Sequence, residues 1–193
     1  MAILLVDMDE VVADLLGYVI HLHEVETGER LDPKTLTDWN KNREVLGTYF
    51  KREGIYWKLD VTKDSQTVLR DLSVNHRIFF VTAAPTPSSA MEKKMWVDRH
   101  FPWIGQKNVI TTFDKYLIRG DLLLDDSPEF NPNFLPIRVC MDAPHNKHLE
   151  KGRDLDYRVT NFMEFLKLIE QLEVKGLLPW CSVPQLKKHM ERP

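Results

Sequence analysis

Asp7 and Asp9 stand one residue apart, directly after the apolar run Ala2-Ile3-Leu4-Leu5-Val6. Five apolar residues in a row read as a buried strand. Open α/β sheets place their chemistry at the C-terminal ends of such strands. If strand geometry continued, both carboxylates would point the same way, at ~7 Å or less. Like charges that close are costly unless a cation lies between them. A hard divalent ion such as Mg²⁺, which takes oxygen ligands, meets that need. An acidic turn at a strand end is the plainer reading of an isolated Asp-x-Asp, so the decision rests on the remaining polar groups.

Those groups fall in a telling order. Thr82 closes the apolar segment Arg77–Thr82, Lys115 sits in a later loop, and Asp125-Asp126 follow Leu122-Leu123-Leu124. If the strands are parallel, all of these converge on one crevice. Carboxylates around one point can hold Mg²⁺ through one or two of their number, leaving positions for water and phosphate oxygens. One Asp can attack phosphorus and form an aspartyl phosphate. A second, two residues on, can protonate the leaving oxygen and later deprotonate the attacking water. Metal and lysine neutralise the charge on the phosphoryl group. Taken singly, Thr82 reads as a strand-end cap, Lys115 as a solvated loop lysine and Asp125-Asp126 as a turn. Their shared placement at strand ends carries the weight. It also argues against a two-component receiver domain, because here the second acidic pair follows the lysine.

The elements that must position these groups are read from pattern. Apolar residues at helical spacing (Val12, Leu15, Leu16, Val19, Ile20, Leu22) predict a helix over Val11–Val25 that stops near Gly28. Residues Glu29–Glu53 are polar and irregular yet carry Trp39, Tyr49 and Phe50. That stretch is too long for a plain loop and reads as a small helical cap over the strand ends. A short helix over Ser65–Leu72 leads to the Arg77–Thr82 strand. Ser88 or Ser89 caps a helix running to about His100. Further strands are expected at Asn108–Thr111, Leu122–Leu124 and Ile137–Met141, then an amphipathic helix at about Asn161–Leu172. The alternation predicts an α/β fold, a Rossmann-like doubly wound parallel sheet with the cap inserted after the first strand. The expected units are a core of 1–14 and 71–175, a cap of 15–70 and a basic, proline-containing tail of 176–193.

Bulk properties narrow the class. A chain of 193 residues can build one core with a small insertion. Hydrophobic content of 43% with 28% charged residues suits a soluble globular protein. A net charge of −3 without a long basic run argues against a duplex nucleic-acid surface, while leaving room for a pocket that binds a small anion. Cys140 and Cys181 are far apart and form no CxxC, so neither a zinc site nor a disulfide framework is indicated. Two reduced thiols fit a cytoplasmic protein. No secretory leader and no run long enough to span a membrane is seen.

Four segments keep the order and spacing of a known motif set: Asp7-Met8-Asp9-Glu10-Val11-Val12-Ala13-Asp14, Val81-Thr82, Asp114-Lys115, and Gly120-Asp121-Leu122-Leu123-Leu124-Asp125-Asp126. A fifth match is Met141-Asp142-Ala143-Pro144-His145-Asn146. On these residues the chain resembles the haloacid dehalogenase superfamily of phosphohydrolases and, within it, the 5'(3')-deoxyribonucleotidases, over roughly residues 2–172. The resemblance implies a Mg²⁺-dependent phosphatase acting on a small phosphomonoester, a deoxyribonucleoside monophosphate. It makes Asp7 the nucleophile and a metal ligand. It makes Asp9 the general acid and base, with its backbone carbonyl on the metal. Asp126 becomes the second carboxylate ligand and Asp125 its support, with the reverse assignment open. Thr82, Lys115 and Lys93 would hold the phosphate. Trp39, Tyr49 and Phe50 would sandwich the base and shut out a ribose 2'-hydroxyl, while Tyr56 and Trp57 read as core. A homodimer is an open option.

The chain also departs from the pattern. Glu10 stands in place of glycine, Leu15 of an aromatic, Ala83 of a serine and Phe113 of an arginine. These changes touch the phosphate and base pocket rather than the catalytic set. They keep a sugar phosphate, or another small phosphomonoester, as an alternative substrate. A non-catalytic binding protein on the same fold is the alternative of a different class.

Overall fold

The computed structural model describes residues 1–133 and 136–179, without the side chains of Trp39, Asn40, Asn42 and Arg43. Most of the predicted tail, including Cys181, lies outside the described residues. β1 (Ile3–Val6) sits inside a six-stranded, all-parallel sheet. β2 (Arg77–Thr82) and β3 (Val109–Thr111) extend to one side of it. β4 (Leu122–Asp125), β5 (Ile137–Met141) and β6 (Tyr157–Val159) extend to the other, giving the order β3-β2-β1-β4-β5-β6. The winding reverses at β1, so the chain is wound in both directions from it, as the sequence predicts. The crevice of such a sheet opens where the order reverses, outside the carboxyl ends of the central strands.

Register then brings the polar strand ends together. Val6 pairs with Phe80 of β2 and with Leu124 of β4. The next residue, Asp7, donates its amide to the Leu124 carbonyl at 2.9 Å. Asp7 and Asp125 therefore lie at one level, with Thr82 one residue further along the adjacent β2. Alternation along each strand sorts the apolar residues to two faces. Leu4, Val6, Phe80, Leu122 and Leu124 join the larger core with Val68, Leu69, Trp96, Phe165 and Ile169. Leu5, Val81 and Leu123 form a smaller cluster on the opposite face, covered by Ile110, Ile118 and Phe130.

The helices mostly follow the sequence expectation, with informative shifts. α1 runs Leu15–Thr27, ending at left-handed Gly28, and starts four residues later than predicted. The intervening Met8–Asp14 segment folds back on itself instead. Val12 and Ala13 both donate to the Met8 carbonyl at 2.9 Å, and Glu10 donates to Ala13. Glu10 takes φ 60°, the left-handed region that glycine normally fills. α2 (Trp39–Leu46) forms inside the polar stretch, so the helical insertion is present. α3 (Ser65–Ser73) buries Val68, Leu69 and Leu72, and packs on α5 (Phe162–Val174) and β2. α4 (Pro87–His100) is capped by Thr86, not Ser88 or Ser89. Pro87 at the first helical position favours that earlier start. Thr86 accepts from the Ser89 amide at 3.1 Å, and Ser89 returns the contact. β6 goes unpredicted because it is a three-residue edge strand with only Val159 buried.

Several contacts tie the insertion to the rest. Glu92 on α4 accepts from the amides of Gly54 at 2.7 Å and Tyr56 at 3.1 Å. Trp96 donates its indole N–H to the Leu59 carbonyl at 2.9 Å. The Thr62 amide donates to Val12 and the Asp14 amide to Asp60, both at 3.0 Å. Among the described residues, no helix is long and apolar enough to cross a membrane.

Gly120 explains how β1 and β4 lie flush. A Cβ there would meet Leu5 Cγ at 2.7 Å, and Leu5 is fully buried. Next to it, Asp121 exchanges bonds with Ile3, accepting from its amide at 2.7 Å and donating to its carbonyl at 2.9 Å. Gly120→Ala should therefore lower stability by about 1–3 kcal/mol through overpacking. Urea unfolding checks this: a lower midpoint with an unchanged slope is expected, and an unchanged midpoint would show that Leu5 yields freely.

Candidate active site

The strand ends build a buried acidic centre. Asp7, Asp125 and Asp126 are all buried, and each offers a carboxylate oxygen within 4.8 Å of the others. Lys115 is the bridge among them. Its Nζ lies 2.8 Å from Asp7 Oδ1 and 2.7 Å from Asp125 Oδ2. Asp125 Oδ1 accepts from the Ser127 amide at 3.0 Å, so the protein engages both oxygens of Asp125. Asp126 is held differently, with Oδ2 3.1 Å from His145 Nε2.

Asp9 has its own lysine. Lys93 on α4 donates to Asp9 Oδ2 at 2.7 Å, to Thr82 Oγ1 at 2.9 Å and to the Ala83 carbonyl at 2.6 Å. An ammonium has three donors, and these acceptors use them all. The Lys93 nitrogen also stands 4.6 Å over the Tyr56 ring. Asp9 Oδ1, by contrast, is buried without a hydrogen-bond partner.

Charge balance shapes the ionisation of the site. Burial, with repulsion from Asp7 and Asp126, pushes the Asp125 carboxyl up to about 7 despite Lys115. Burial also raises Asp9 above the usual carboxylate range against the pull of Lys93. Asp126 is raised by burial, with the His145 hydrogen bond opposing. Burial pulls the Lys115 ammonium down, but Asp125 and Asp7 outweigh it and hold it above the ordinary lysine value. The carboxylates thus outnumber the cations that face them. Buried oxygen donors with excess negative charge suit a hard divalent cation, and the donor set here fits one.

Glu10 adds a further carboxylate. Its Oε1 accepts from the Leu16 amide at 2.5 Å, so it caps the first turn of α1. Burial and the nearby Asp126 drive its carboxyl well above the usual range. The glutamate nonetheless lines the catalytic cavity beside Asp7, Asp9 and Asp126.

That cavity holds about 160 Å³. A larger hollow of about 370 Å³ shares Lys115 and Asp125 with it but contains none of Asp7, Asp9 or Asp126. The acidic centre therefore faces the smaller one. Asp7, Asp9, Asp125, Asp126 and Lys115 all line it, as their sequence positions predict. The expected phosphate contacts of Thr82 and Lys93 take another form. Both side chains are fully buried, and their polar atoms engage each other and Asp9. Tyr49 and Phe50 likewise do not line this cavity. Tyr49 is buried inside the cap, its hydroxyl 3.3 Å from His23 Nδ1 and its ring under Arg52. Phe50 packs against the core, and its carbonyl accepts from the Tyr56 hydroxyl at 3.1 Å. The Trp39 side chain lies outside the described residues. His145 was given no role from sequence, although Pro144-His145-Asn146 directly after a strand end is a usable signal.

Lys93 generates a direct test. Its side chain is 1% exposed and that of Asp9 25%, so removing its charge leaves a half-buried Asp9 without its partner. Lys93→Met should cost about 1–3 kcal/mol at neutral pH without metal, the range for a polar group left without its partner. Guanidinium unfolding reads this, and an unchanged midpoint would show that the pair contributes nothing.

Comparison with known proteins agrees with this geometry. The family model described as 5' nucleotidase, deoxy (pyrimidine), cytosolic type C protein (NT5C) matches residues 1–176. The 5'(3')-deoxyribonucleotidase of Bacillus subtilis (strain 168) is 27% identical over 151 residues, covering 76% of this chain and 88% of the relative. A protein of the same name from Bacillus phage SPbeta matches over the same 151 residues at 27%. A haloacid dehalogenase-like family hydrolase from Streptococcus pneumoniae shares the fold at TM-score 0.57 and 9% identity, covering 88% of this chain and 98% of that one. The Bacillus subtilis protein YfnB, solved bound to magnesium, superposes at TM-score 0.57 and 12% identity, covering 87% and 98%. With the family model matching residues 1–176 and the acidic centre in place, this protein belongs to the NT5C family of deoxyribonucleotidases, on a fold it shares with haloacid dehalogenase-like hydrolases.

Proposed function

We propose that this protein is a phosphoric monoester hydrolase that cleaves deoxyribonucleoside monophosphates, at the 5' position and with 3' esters as a second class, through an aspartyl phosphate on Asp7. One observation carries the reading: Lys115 clamps Asp7 and Asp125 at 2.8 and 2.7 Å beside Asp126, in a cavity that also presents Asp9. Magnesium is the ion we assign to Asp7 and Asp126, and when bound it would offset charge on the transferring phosphoryl group.

The residues then divide the work. An Asp7 oxygen attacks phosphorus as the bond to the ester oxygen breaks. Asp9 gives its proton to that leaving oxygen. Its Oδ1, free of any hydrogen-bond partner, is the atom available to carry the proton, while Lys93 holds Oδ2. Asp9 next takes a proton from water as the water oxygen attacks phosphorus and the Asp7–phosphorus bond breaks. Lys115 steadies the phosphoryl oxygens and keeps Asp7 aimed. In this assignment Lys93 and Thr82 position Asp9, and Asp125 positions Lys115. We further infer a cap that begins at α1 and stops before α3, since α3 packs on the core. A cytoplasmic setting suits the buried free thiol of Cys140.

One observation favours the second substrate class. Neither Tyr49 nor Phe50 lines the 160 Å³ cavity, which suits a small phosphomonoester such as a sugar phosphate. A panel with deoxyribo- and ribonucleotides beside sugar phosphates separates the two, and kcat/KM highest on deoxyribonucleotides is expected. Asp7→Asn should abolish turnover by several orders of magnitude, as for other catalytic nucleophiles. Asp9→Asn should cost roughly 10²–10⁴-fold in kcat, the range for general acid–base catalysis. Full activity of Asp7→Asn would overturn the mechanism. Selectivity for sugar phosphates would overturn the nucleotide assignment alone.

A further inference from the structure

His145 is buried at 3% exposure and lines the catalytic cavity, yet none of the chemical steps above uses it. Its Nε2 lies 2.8 Å from the Asp126 carbonyl and 3.1 Å from Asp126 Oδ2. One ring N–H therefore faces both the backbone and the side chain of the same residue.

The ring has a firm mount. It sits on a short 3₁₀ turn, Pro144–Asn146, that follows β5. Asn146 is fully buried, and its amide is satisfied on every side. Nδ2 donates to the Asp126 and Met141 carbonyls, both at 2.8 Å. Oδ1 accepts from the Ala143 amide at 3.1 Å and from Arg158 at 2.7 Å. This one side chain thus pins the turn to the ends of β4 and β5 and to β6. From the other side, the cap turn Pro33–Thr35 packs against Pro144–Asn146. The position of His145 is set before any ligand arrives.

The consequence appears when the oxygens of the acidic centre are followed one by one. Asp125 has both oxygens engaged, by Lys115 and the Ser127 amide. Asp7 Oδ1 is engaged by Lys115. Asp126 Oδ2 faces His145, so its Oδ1 is the oxygen turned to other use. A carboxylate on a short side chain can rotate, and a fixed donor on one oxygen removes that freedom. Groups that orient a ligating carboxylate in this way contribute substantially to metal affinity.

We propose that His145 is a positioning residue that fixes the Asp126 carboxylate for a divalent cation; this rests on the reading of the acidic centre as a cation site. In this assignment His145 acts through Asp126 and takes no part in the bond-making steps. Its loss therefore weakens the cation rather than the chemical step.

The test measures Mg²⁺ binding by calorimetry to the intact protein and to Asp126→Asn, His145→Leu and His145→Gln. Leucine keeps bulk without a donor, and glutamine restores an N–H. His145→Leu should bind Mg²⁺ about 10–100-fold more weakly, with His145→Gln recovering much of the loss. In turnover assays the Mg²⁺ requirement of His145→Leu should rise by the same factor, while kcat at saturating Mg²⁺ and KM for the phosphoester stay close to the parent. If leucine and glutamine bind Mg²⁺ equally well, or both match the parent, the positioning role is overturned and the cation site stands. If His145→Leu does not fold, glutamine decides alone, and a glutamine variant as weak as Asp126→Asn overturns the proposal. If the parent binds no Mg²⁺, the cation-site reading falls and takes this proposal with it.

Discussion

Everything at the centre of this protein depends on how Lys115 holds Asp7 and Asp125 together. Without a cation between them, those carboxylates would repel each other in a region stripped of water. Lys115 removes part of that penalty and fixes the distance between the ends of β1 and β4. Lys93 does the same for Asp9. What remains is an excess of negative charge, visible in the raised carboxyls of Asp9, Asp125 and Asp126. Buried excess charge is a standing cost to the fold. A divalent cation and the oxygens it carries relieve that cost, so stability and function lean on the same imbalance.

The sheet exists to make this crowding repeatable. Parallel pairing of β1 with β2 and β4 brings Asp7, Asp125 and Thr82 to within one residue of the same level. Gly120 lets β4 lie flush, and Asp121 locks it to Ile3. The Met8–Asp14 turn then carries Asp9 and Glu10 across the mouth of the crevice before α1 begins. Glu10 is the odd member. It accepts a left-handed backbone and a buried carboxylate, and in return caps α1 through Leu16. A residue that joins the Met8–Asp14 turn to α1 couples the two mechanically, which a glycine in that place could not do.

Much of this was legible in the chain, for identifiable reasons. The runs Ile3–Val6 and Leu122–Leu124 are apolar throughout because their strands are buried on both faces, so their ends, and the aspartates there, stand out. Lys115 was legible through its order relative to those ends. Other features were hidden by their nature. The late start of α1 follows from a fold-back held by the Met8 carbonyl, and backbone bonds leave little trace in side-chain periodicity. Thr82 and Lys93 fall beside Asp9, but their partners depend on α4 lying against β2, which is a tertiary fact. Tyr49 shows the limit most clearly. An aromatic in a polar insertion reads the same whether it meets a ligand or, as here, a histidine of its own cap. His145 lies in a matched segment of the sequence, but its contact across the crevice to Asp126 is a tertiary fact.

The central claim is that Asp7, rather than water, makes the first attack on phosphorus. Its most direct test is the stereochemical course at phosphorus, followed with a deoxyribonucleoside monophosphorothioate made chiral by oxygen isotopes. Two successive in-line displacements, onto Asp7 and then onto water, predict net retention of configuration. Net inversion would mean a single direct attack by water, and would contradict the account built on Asp7.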